Sequence, residues 1–340
     1  MILIYILGAI LGFSILIIGH ELGHFTLAKL NGVKVEEFSL GMGPKLFGIK
    51  GKETEYLIKA FPIGGYVKML GEEEKVADAR SFSSKRPIQK LSIIAAGPLM
   101  NFVLAIVLFA IVAGLRGFAI PVVDKVDEGR PAMTAGIQKG DKIAYIDNKK
   151  VSTWEDFYNE VYVAKGNEIN MIVLRNGEQI KINVTPVLDP KENRYIIGIY
   201  PSLLEKPNIA QSMGYGFQQT KSILQQTAGF FKSIFQRKVS SSDFGGPVTI
   251  IRVSAKAAEA GIVPLMYLLA YLSVQLAIFN IIPFPALDGG WIFMLLIEII
   301  TGKKLDDNKV GFINYIGFVV LMIIMVLVII KDIVSPINLN

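Results

Sequence analysis

Four stretches of the sequence carry no charged residue, and their length is the strongest constraint on the fold. They are residues 1–19, 91–115, 261–287 and 310–330. A run of about 18 or more apolar residues is long enough to cross the hydrocarbon core of a bilayer as a helix. Charged residues make up only 19% of the chain, against roughly 25% in a typical soluble domain. The pattern predicts an α-helical integral membrane protein with four transmembrane helices, within residues 1–30, 91–115, 261–297 and 310–330.

The composition excludes several classes of function. The chain has no cysteine, which excludes disulfide frameworks, iron–sulfur clusters and thiol catalysis. The formal net charge is +6, but no basic run is interleaved with aromatic residues, so we expect no nucleic-acid partner. The basic residues are spread along the loops, as in proteins that contact an anionic lipid bilayer. Because no basic residue precedes Lys29, we expect the first run to be an uncleaved helix rather than a signal peptide.

The segments between the apolar runs predict three further parts. Residues 31–90 contain a short apolar segment rich in Pro and Gly at 61–67, which favours strands or turns over a regular helix. Residues 119–187 read as a compact β-rich module, with a hairpin turn at Asn176-Gly177. Residues 208–260 mix polar and apolar positions in a way that predicts amphipathic connecting helices.

The positions of the basic residues predict the orientation of the helices. Basic residues lie just before the second expected span, at Lys85, Arg86 and Lys90. Others lie between the third and fourth spans, at Lys303, Lys304 and Lys309. The positive-inside rule therefore places residues 31–90 and 298–309 in the cytoplasm. It follows that the β-rich module and both termini are expected outside the cytoplasm.

The only two histidines of the chain occur in the motif His20-Glu21-Leu22-Gly23-His24. Residues four apart share one face of a helix, so both imidazoles can bind one zinc ion while Glu21 stays close enough to act as a general base. An ionisable residue inside an apolar helix costs about 2.5–3.5 kcal/mol on insertion scales, and such residues usually mark function. The motif predicts a zinc site in the first helix.

A catalytic zinc site needs a third protein ligand and one open position. Asp288 is the candidate, because it follows the charge-free run at 261–287 and stands next to a Gly pair, after Pro283 and Pro285. We expect these residues to break the helix around Asp288 and to let its carboxylate turn inward. The alternative interpretation is an interfacial aspartate at a helix end. Ligand type alone does not select zinc over cobalt or iron.

These motifs resemble those of the site-2 protease family, in particular the bacterial regulator-of-sigma-E protease type. The resemblance extends over nearly the whole chain. It is carried by His20-Glu21-x-x-His24, Asn280-x-x-Pro283-x-Pro285-x-Leu287-Asp288-Gly289, Gly41-Met42-Gly43-Pro44, residues 61–69 and Gly246-Pro247. The chain has room for one PDZ-like module, whereas longer members of that family have more.

The resemblance implies a four-helix membrane protein with a membrane-associated β loop at 31–90 and one inserted extracytoplasmic PDZ-like α+β domain. It implies intramembrane proteolysis with Zn²⁺ held by His20, His24 and Asp288, and with Glu21 as the general base. Asn280 would bind the substrate, or else form a helix–helix hydrogen bond. The implied substrates are single-pass membrane proteins, such as anti-sigma factors, or remnant signal peptides, cleaved near the cytoplasmic face of the plasma membrane. The oligomeric state is not implied.

Two other functions are weighed against proteolysis. A non-catalytic scaffold with a structural zinc ion would close the fourth coordination position with protein and would have no use for Glu21. A prenyl-protein-processing membrane metalloprotease would be expected to use a glutamate as third ligand and to lack a PDZ-like module. Asp288 and residues 119–187 therefore favour the site-2 protease interpretation.

Overall fold

The computed structural model describes residues 2–72, 76–190, 194–236 and 245–335. The chain divides into two compact units, one of residues 1–108 and 230–340 and the other of residues 109–229. Both chain ends, which the sequence predicts to be outside the cytoplasm, lie outside the described residues.

The N-terminal part consists of two long helices separated by a β hairpin. In chain order these elements are α1 (Ile2–Leu30), β1 (Val35–Lys50), β2 (Glu55–Met69) and α2 (Pro87–Arg116). Four helical segments of the described chain are long and apolar enough to cross a membrane. They are Ile10–Leu30, Pro87–Arg116, Ile262–Ile281 and Asn308–Val334. The four helices expected from the charge-free runs are therefore present.

Strands or turns were predicted within residues 31–90, and the structure has a β hairpin there. The first half of β1 pairs with both ends of β2. Residues 37–40 of β1 pair with residues 65–68 of β2 on one side and with residues 55–58 on the other. Residues 35–42 therefore form an inner strand, and residues 65–69 have one edge without a partner strand in the described part of the chain. Gly41 allows the bend between the two halves of β1, since its φ is +85° and a Cβ there would collide with the carbonyl oxygen of Phe61.

The second unit contains a β module. Its elements are β3 (Phe118–Val126), α3 (Pro131–Thr134), β4 (Lys142–Ile146), β5 (Lys149–Lys150), α4 (Trp154–Ala164), β6 (Ile169–Arg175), β7 (Glu178–Val184), β8 (Val187–Asp189), β9 (Arg194–Ile196) and β10 (Ile199–Leu204). The main sheet has the order β10-β3-β4-β6-β7. Asn176 and Gly177 have φ of +52° and +89°, as a tight hairpin turn requires. The module extends past residue 187, where the sequence predicts its end, because β10 pairs with β3.

Apolar side chains from the sheet and α4 fill the interior of the module, with Ile143, Ile146 and Val173 fully buried. In the described part of the module the carboxylates of Asp141 and Asp189 are also buried, and each is paired with an arginine. The Asp141 carboxylate is fully buried and forms an ion pair with Arg175, whose Nε lies 2.7 Å from Asp141 Oδ1. The module therefore neutralises these buried charges with partners of its own.

The C-terminal part is helical. Its elements are α5 (Ile209–Phe235), α6 (Pro247–Ala260), α7 (Ile262–Ile281), α8 (Asp288–Thr301) and α9 (Asp307–Val334). The amphipathic segment predicted over 208–260 corresponds to α5 and α6, and its residues 237–244 lie outside the described residues. The third membrane segment, predicted over 261–297 with a break around Asp288, consists of two helices. Pro283 and Pro285 provide no backbone N–H, and Ala286 adopts a φ of +73°, so the helix ends before them.

The first turn of α6 is held by a side chain from α9. The buried Asp332 carboxylate accepts hydrogen bonds from the backbone N–H groups of Gly246 and Thr249 at 3.0 and 2.8 Å. It also accepts one from the Thr249 hydroxyl at 2.9 Å. Gly246 itself provides no capping side chain, so Asp332 fulfils the N-cap role from another helix.

Candidate metal centre

The two histidines lie one helical turn apart on α1 and face the same way. Their Nε2 atoms are 3.2 Å apart, and both residues are buried. In an unbroken helix, positions i and i+4 are neighbours on one face. The local sequence therefore brings two metal-binding nitrogens together without help from the rest of the chain.

Asp288 reaches the same point from the first turn of α8. Its Oδ2 atom lies 3.1 Å from His20 Nε2 and 3.6 Å from His24 Nε2. The short break between α7 and α8 requires close packing at Gly289, where a Cβ would collide with the carbonyl oxygens of Ile281 and Ile282. The helix break and the glycine after Asp288 thus place the carboxylate at the histidines.

The arrangement of the three groups is explained better by a shared metal ion than by hydrogen bonds among them. Asp288 Oδ2 is buried, and although it lies close to both imidazoles it makes no hydrogen bond of acceptable direction. Zinc–ligand bonds of about 2.0–2.1 Å at tetrahedral angles place neighbouring ligand atoms roughly 3.3 Å apart. The observed separations of 3.1, 3.2 and 3.6 Å match that spacing. Two imidazoles and one carboxylate leave one coordination position open, as in catalytic zinc sites.

The remaining ring nitrogens of the histidines also have partners. His24 Nδ1 lies 2.9 Å from the carbonyl oxygen of Ile93. His20 Nδ1 lies 3.2 Å from the side-chain amide of Asn101, which is completely buried in α2. Asn101 is not among the site residues predicted from the sequence, although an amide within the charge-free run at 91–115 was the available signal.

Helix α2 approaches the histidines through glycine. A Cβ on Gly97 would collide with His24 Nε2 and would lie 2.8 Å from His20 Cε1. A Cβ on Gly23 of α1 would likewise collide with the carbonyl oxygen of Ala96. The absence of side chains at these two positions is what lets α2 reach the imidazoles.

Glu21 and the β hairpin meet beside this cluster. Glu21 is partly buried, and its Cγ atom would lie 3.0 Å from a Cβ on Gly65. Gly65 begins the part of β2 that has one unpaired edge. Glu21 therefore lies against the face of this strand, beside His20 in the sequence.

Asn280, the predicted substrate-binding residue, lies near the end of α7 and is partly buried. Within the described residues its side chain makes no hydrogen bond, so the alternative of a helix–helix hydrogen bond finds no partner there. The structure brings His20, His24 and Asp288 together and leaves the role of Asn280 a prediction.

A cavity of about 1220 Å³ opens between the hairpin, α8 and α9. Its wall includes both charged and aromatic side chains, among them Glu37, Lys59, Tyr66, Lys68, Trp291, Glu298 and Lys304. Residues 66–71, which continue β2 beyond Gly65, form one side of it. The cavity thus follows the same strand that passes Glu21.

The sequence pattern of Peptidase family M50 matches residues 8–324. The chain belongs to this family. As an M50 peptidase it is a zinc metalloendopeptidase and a multi-pass membrane protein, which confirms the site-2 protease resemblance, the enzyme class and the metal predicted from the sequence.

Relatives of this M50 peptidase match it over nearly its full length. A Clostridium acetobutylicum protein whose name proposes a zinc metalloprotease is 49% identical over 97% of both chains. Zinc metalloprotease RasP of Bacillus licheniformis is 30% identical over 92% of this chain and 94% of its own. Regulator of sigma-W protease RasP of Bacillus subtilis is 28% identical over the same shares.

The PDZ domain of an SdrC-like protein from Listeria monocytogenes aligns with 26% of this chain and 90% of its own length, at 18% identity and a TM-score of 0.23. That likeness is too weak to carry an argument about the β module. The PDZ-like interpretation of the module stays a prediction.

Proposed function

We propose that this chain cleaves peptide bonds of membrane-spanning segments, with His20, His24 and Asp288 as its zinc ligands. The observation that supports this most directly is the convergence of three metal-binding atoms within apolar helices. When bound, zinc supplies Lewis acidity toward a carbonyl group and toward water. His20 and His24 are buried and Asp288 is partly buried, which keeps the site away from bulk water.

Glu21 is proposed as the general base. Its carboxylate takes a proton from the attacking water molecule and returns it to the amide nitrogen as the peptide bond breaks. The close approach of Gly65 to Glu21 supports this role, because it brings an extended strand against the Glu21 side chain. A general base must lie within hydrogen-bonding reach of the proton that it moves.

The substrate is proposed to bind as an extended strand on the open edge of residues 65–69. A transmembrane helix hydrogen-bonds its own peptide groups, so it must unwind before attack, and strand addition satisfies the groups that unwinding exposes. The cavity along residues 66–71 offers room and charged groups for the polar residues that follow. Asn280, whose side chain is free among the described residues, is proposed to hydrogen-bond the bound backbone.

The proposed substrates are single-pass membrane proteins, such as anti-sigma factors, and signal peptides that remain in the membrane. The name of the Bacillus subtilis relative, regulator of sigma-W protease, supports the first class. The distribution of basic residues supports an active site near the cytoplasmic face, with the β module and both termini on the other side.

The test is a comparison of membrane-peptide fragments from cells that carry the wild type and from cells that carry Glu21→Gln. The variant keeps the metal ligands and loses the proton acceptor, so fragments cut within membrane segments should be present only with the wild type. Identical fragments in both strains would contradict the proposal.

The β module is proposed to exclude substrates with bulky external domains rather than to recruit peptides. It is inserted between the second and third membrane helices, and a folded body of its length has a radius of gyration of about 12 Å. Replacing residues 118–204 with a short flexible linker should permit cleavage of untrimmed substrates. Slower cleavage of trimmed substrates, with no new substrate accepted, would instead indicate peptide capture at an open sheet edge.

A further inference from the structure

The two metal-binding imidazoles are oriented by different kinds of group. A neutral imidazole that binds zinc through Nε2 carries its proton on Nδ1, and that N–H needs a hydrogen-bond acceptor. For His24 the acceptor is the backbone carbonyl of Ile93, 2.9 Å away. A carbonyl oxygen can only accept, so it fixes the tautomer of His24 with Nε2 free for the metal.

For His20 the neighbour of Nδ1 is a side chain, the amide of Asn101 at 3.2 Å. If the amide nitrogen faced Nδ1, it would donate to an unprotonated Nδ1 and leave the imidazole proton on Nε2. His20 Nε2 is the atom that points at Asp288 Oδ2, 3.1 Å away. That tautomer would block the metal position.

Rotating the amide of Asn101 by 180° resolves this conflict. The Oδ1 atom of Asn101 is buried without a hydrogen-bond partner when the nitrogen faces His20. The oxygen and nitrogen of an amide have nearly the same size, so rotation exchanges them with little change in packing. Rotation gives Oδ1 a donor, the Nδ1–H of His20, and leaves Nε2 unprotonated.

We propose that Asn101 is a positioning residue that holds His20 in its metal-binding tautomer by accepting a hydrogen bond from Nδ1. The residue is fully buried, and its backbone carbonyl accepts a hydrogen bond from the Ser273 hydroxyl of α7 at 2.8 Å. Gly97, one turn earlier in α2, packs against both imidazoles. Asn101 is therefore held in one place relative to His20.

The inference rests on the proposed zinc site, and one set of variants tests it. Zinc affinity is measured on the detergent-solubilised full-length protein by competition with a chelator, and Co²⁺ substitution reports the ligand geometry through the visible spectrum. Asn101→Leu removes the acceptor at similar size and should lower zinc affinity about 10- to 100-fold. Asn101→Asp keeps an acceptor oxygen and should stay near the wild-type affinity and spectrum.

Ser14→Ala is the matched control, because it removes a hydrogen bond to the Ile10 carbonyl within the helix that carries both histidines, without touching Asn101 or either imidazole. It should leave zinc affinity unchanged. If Asn101→Leu does not fold, Asn101→Ala replaces it in the same comparison. Wild-type zinc affinity in the leucine or alanine variant, or equal losses in the leucine and aspartate variants, would overturn the inference. A wild type that binds no zinc would instead refute the proposed metal site itself.

Discussion

Asp288 of the metal centre and Asp141 of the β module both have buried carboxylate oxygens, but only Asp141 has a partner of opposite charge. In the module, the buried Asp141 carboxylate is matched by Arg175 within the same fold. At the metal centre, the buried Asp288 Oδ2 faces two imidazole nitrogens and has no hydrogen bond. An uncompensated buried charge is costly, so the centre holds its groups for an ion, whereas the Asp141 carboxylate already has its partner. Substitutions at the centre should therefore alter metal binding, whereas substitutions in the module should alter stability.

The largest effect is expected for Gly97→Ala, because the added methyl group would occupy the space of both imidazoles. The variant should lose zinc binding and cleavage together. Metal content and cleavage of a single-pass membrane substrate are measured on the same preparation. Gly114→Ala is the control on the same helix, since its nearest neighbour, Ser212 Oγ, would lie 3.7 Å from the new Cβ. Normal zinc content in Gly97→Ala would show that α2 does not approach the site as described.

Asp288→Ala removes one proposed ligand and leaves both histidines in place. Zinc affinity should fall by more than about 100-fold, beyond the loss typical of changes around the ligands, and activity should fall with it. Asp306→Ala is the control, because Asp306 also stands at a helix N-terminus but caps α9 through Asn308 N–H. An inactive Asp288→Ala protein with full zinc occupancy would make Asp288 a substrate-positioning residue instead.

The module should respond through its stability. Arg175→Met leaves the Asp141 carboxylate buried without its partner and should cost about 3–5 kcal/mol, with zinc binding unchanged. Unfolding is followed by the fluorescence of Trp154, buried in the module, in a Trp291→Phe background. The double variant Asp141→Leu/Arg175→Met should recover most of the loss, because no unpaired charge remains. A double variant as unstable as the single one would contradict the ion-pair account.

The same pair gives the module a defined pH dependence. Burial raises the pKa of Asp141, but the hydrogen bonds from Arg175 and the Gln138 N–H, with the charge of Arg175, bring it below its ordinary value of 3.8. A carboxyl group with a lowered folded-state pKa stabilises the fold above its unfolded pKa. This contribution should be complete above about pH 4 and should be lost as the pH falls through the folded pKa. Arg175→Met should lose this dependence in acid-unfolding curves.

The smallest effect is expected at the contact between α9 and α6. Asp332→Ala removes the acceptor for three hydrogen bonds at the start of α6, and loss of a helix N-cap costs about 1 kcal/mol. Thermal unfolding in detergent should show a small decrease with unchanged zinc affinity. Asp332→Asn keeps one acceptor oxygen and should fall between the wild type and the alanine variant. A large loss of zinc affinity in either variant would contradict this account, because none of the proposed zinc ligands lies at the contact between α9 and α6.

The sequence predicts the parts of the centre that carry rare chemistry. His20, His24 and Asp288 stand out because metal-binding groups are seldom found within or beside apolar runs. Asn101 does not stand out, since an amide in a membrane helix is equally consistent with a hydrogen bond between helices. Its proximity to His20 depends on how α1 and α2 cross, which no local pattern specifies.

The fold, too, can be predicted from the sequence only where local patterns specify it. The four apolar helices and the Asn176-Gly177 turn follow from local patterns, and both are found. The pairing of β10 with β3 joins strands that are far apart in sequence, and therefore the end of the module was placed too early. The end of α7 at Ile281 precedes two prolines that are visible in the sequence, and the break around Asp288 follows from them.

The ligands of the metal centre also define a closed loop of chain. His24 and Asp288 are 264 positions apart, and an ion bound to both joins α1 to α8 across everything between them, including the β module. The entropic cost of closing a flexible loop grows only with the logarithm of its length, so deleting residues 118–204 changes it by about 0.4 kcal/mol. A domain inserted in this loop can therefore be gained, lost or exchanged with almost no change in the entropic cost of closing the loop when the metal binds.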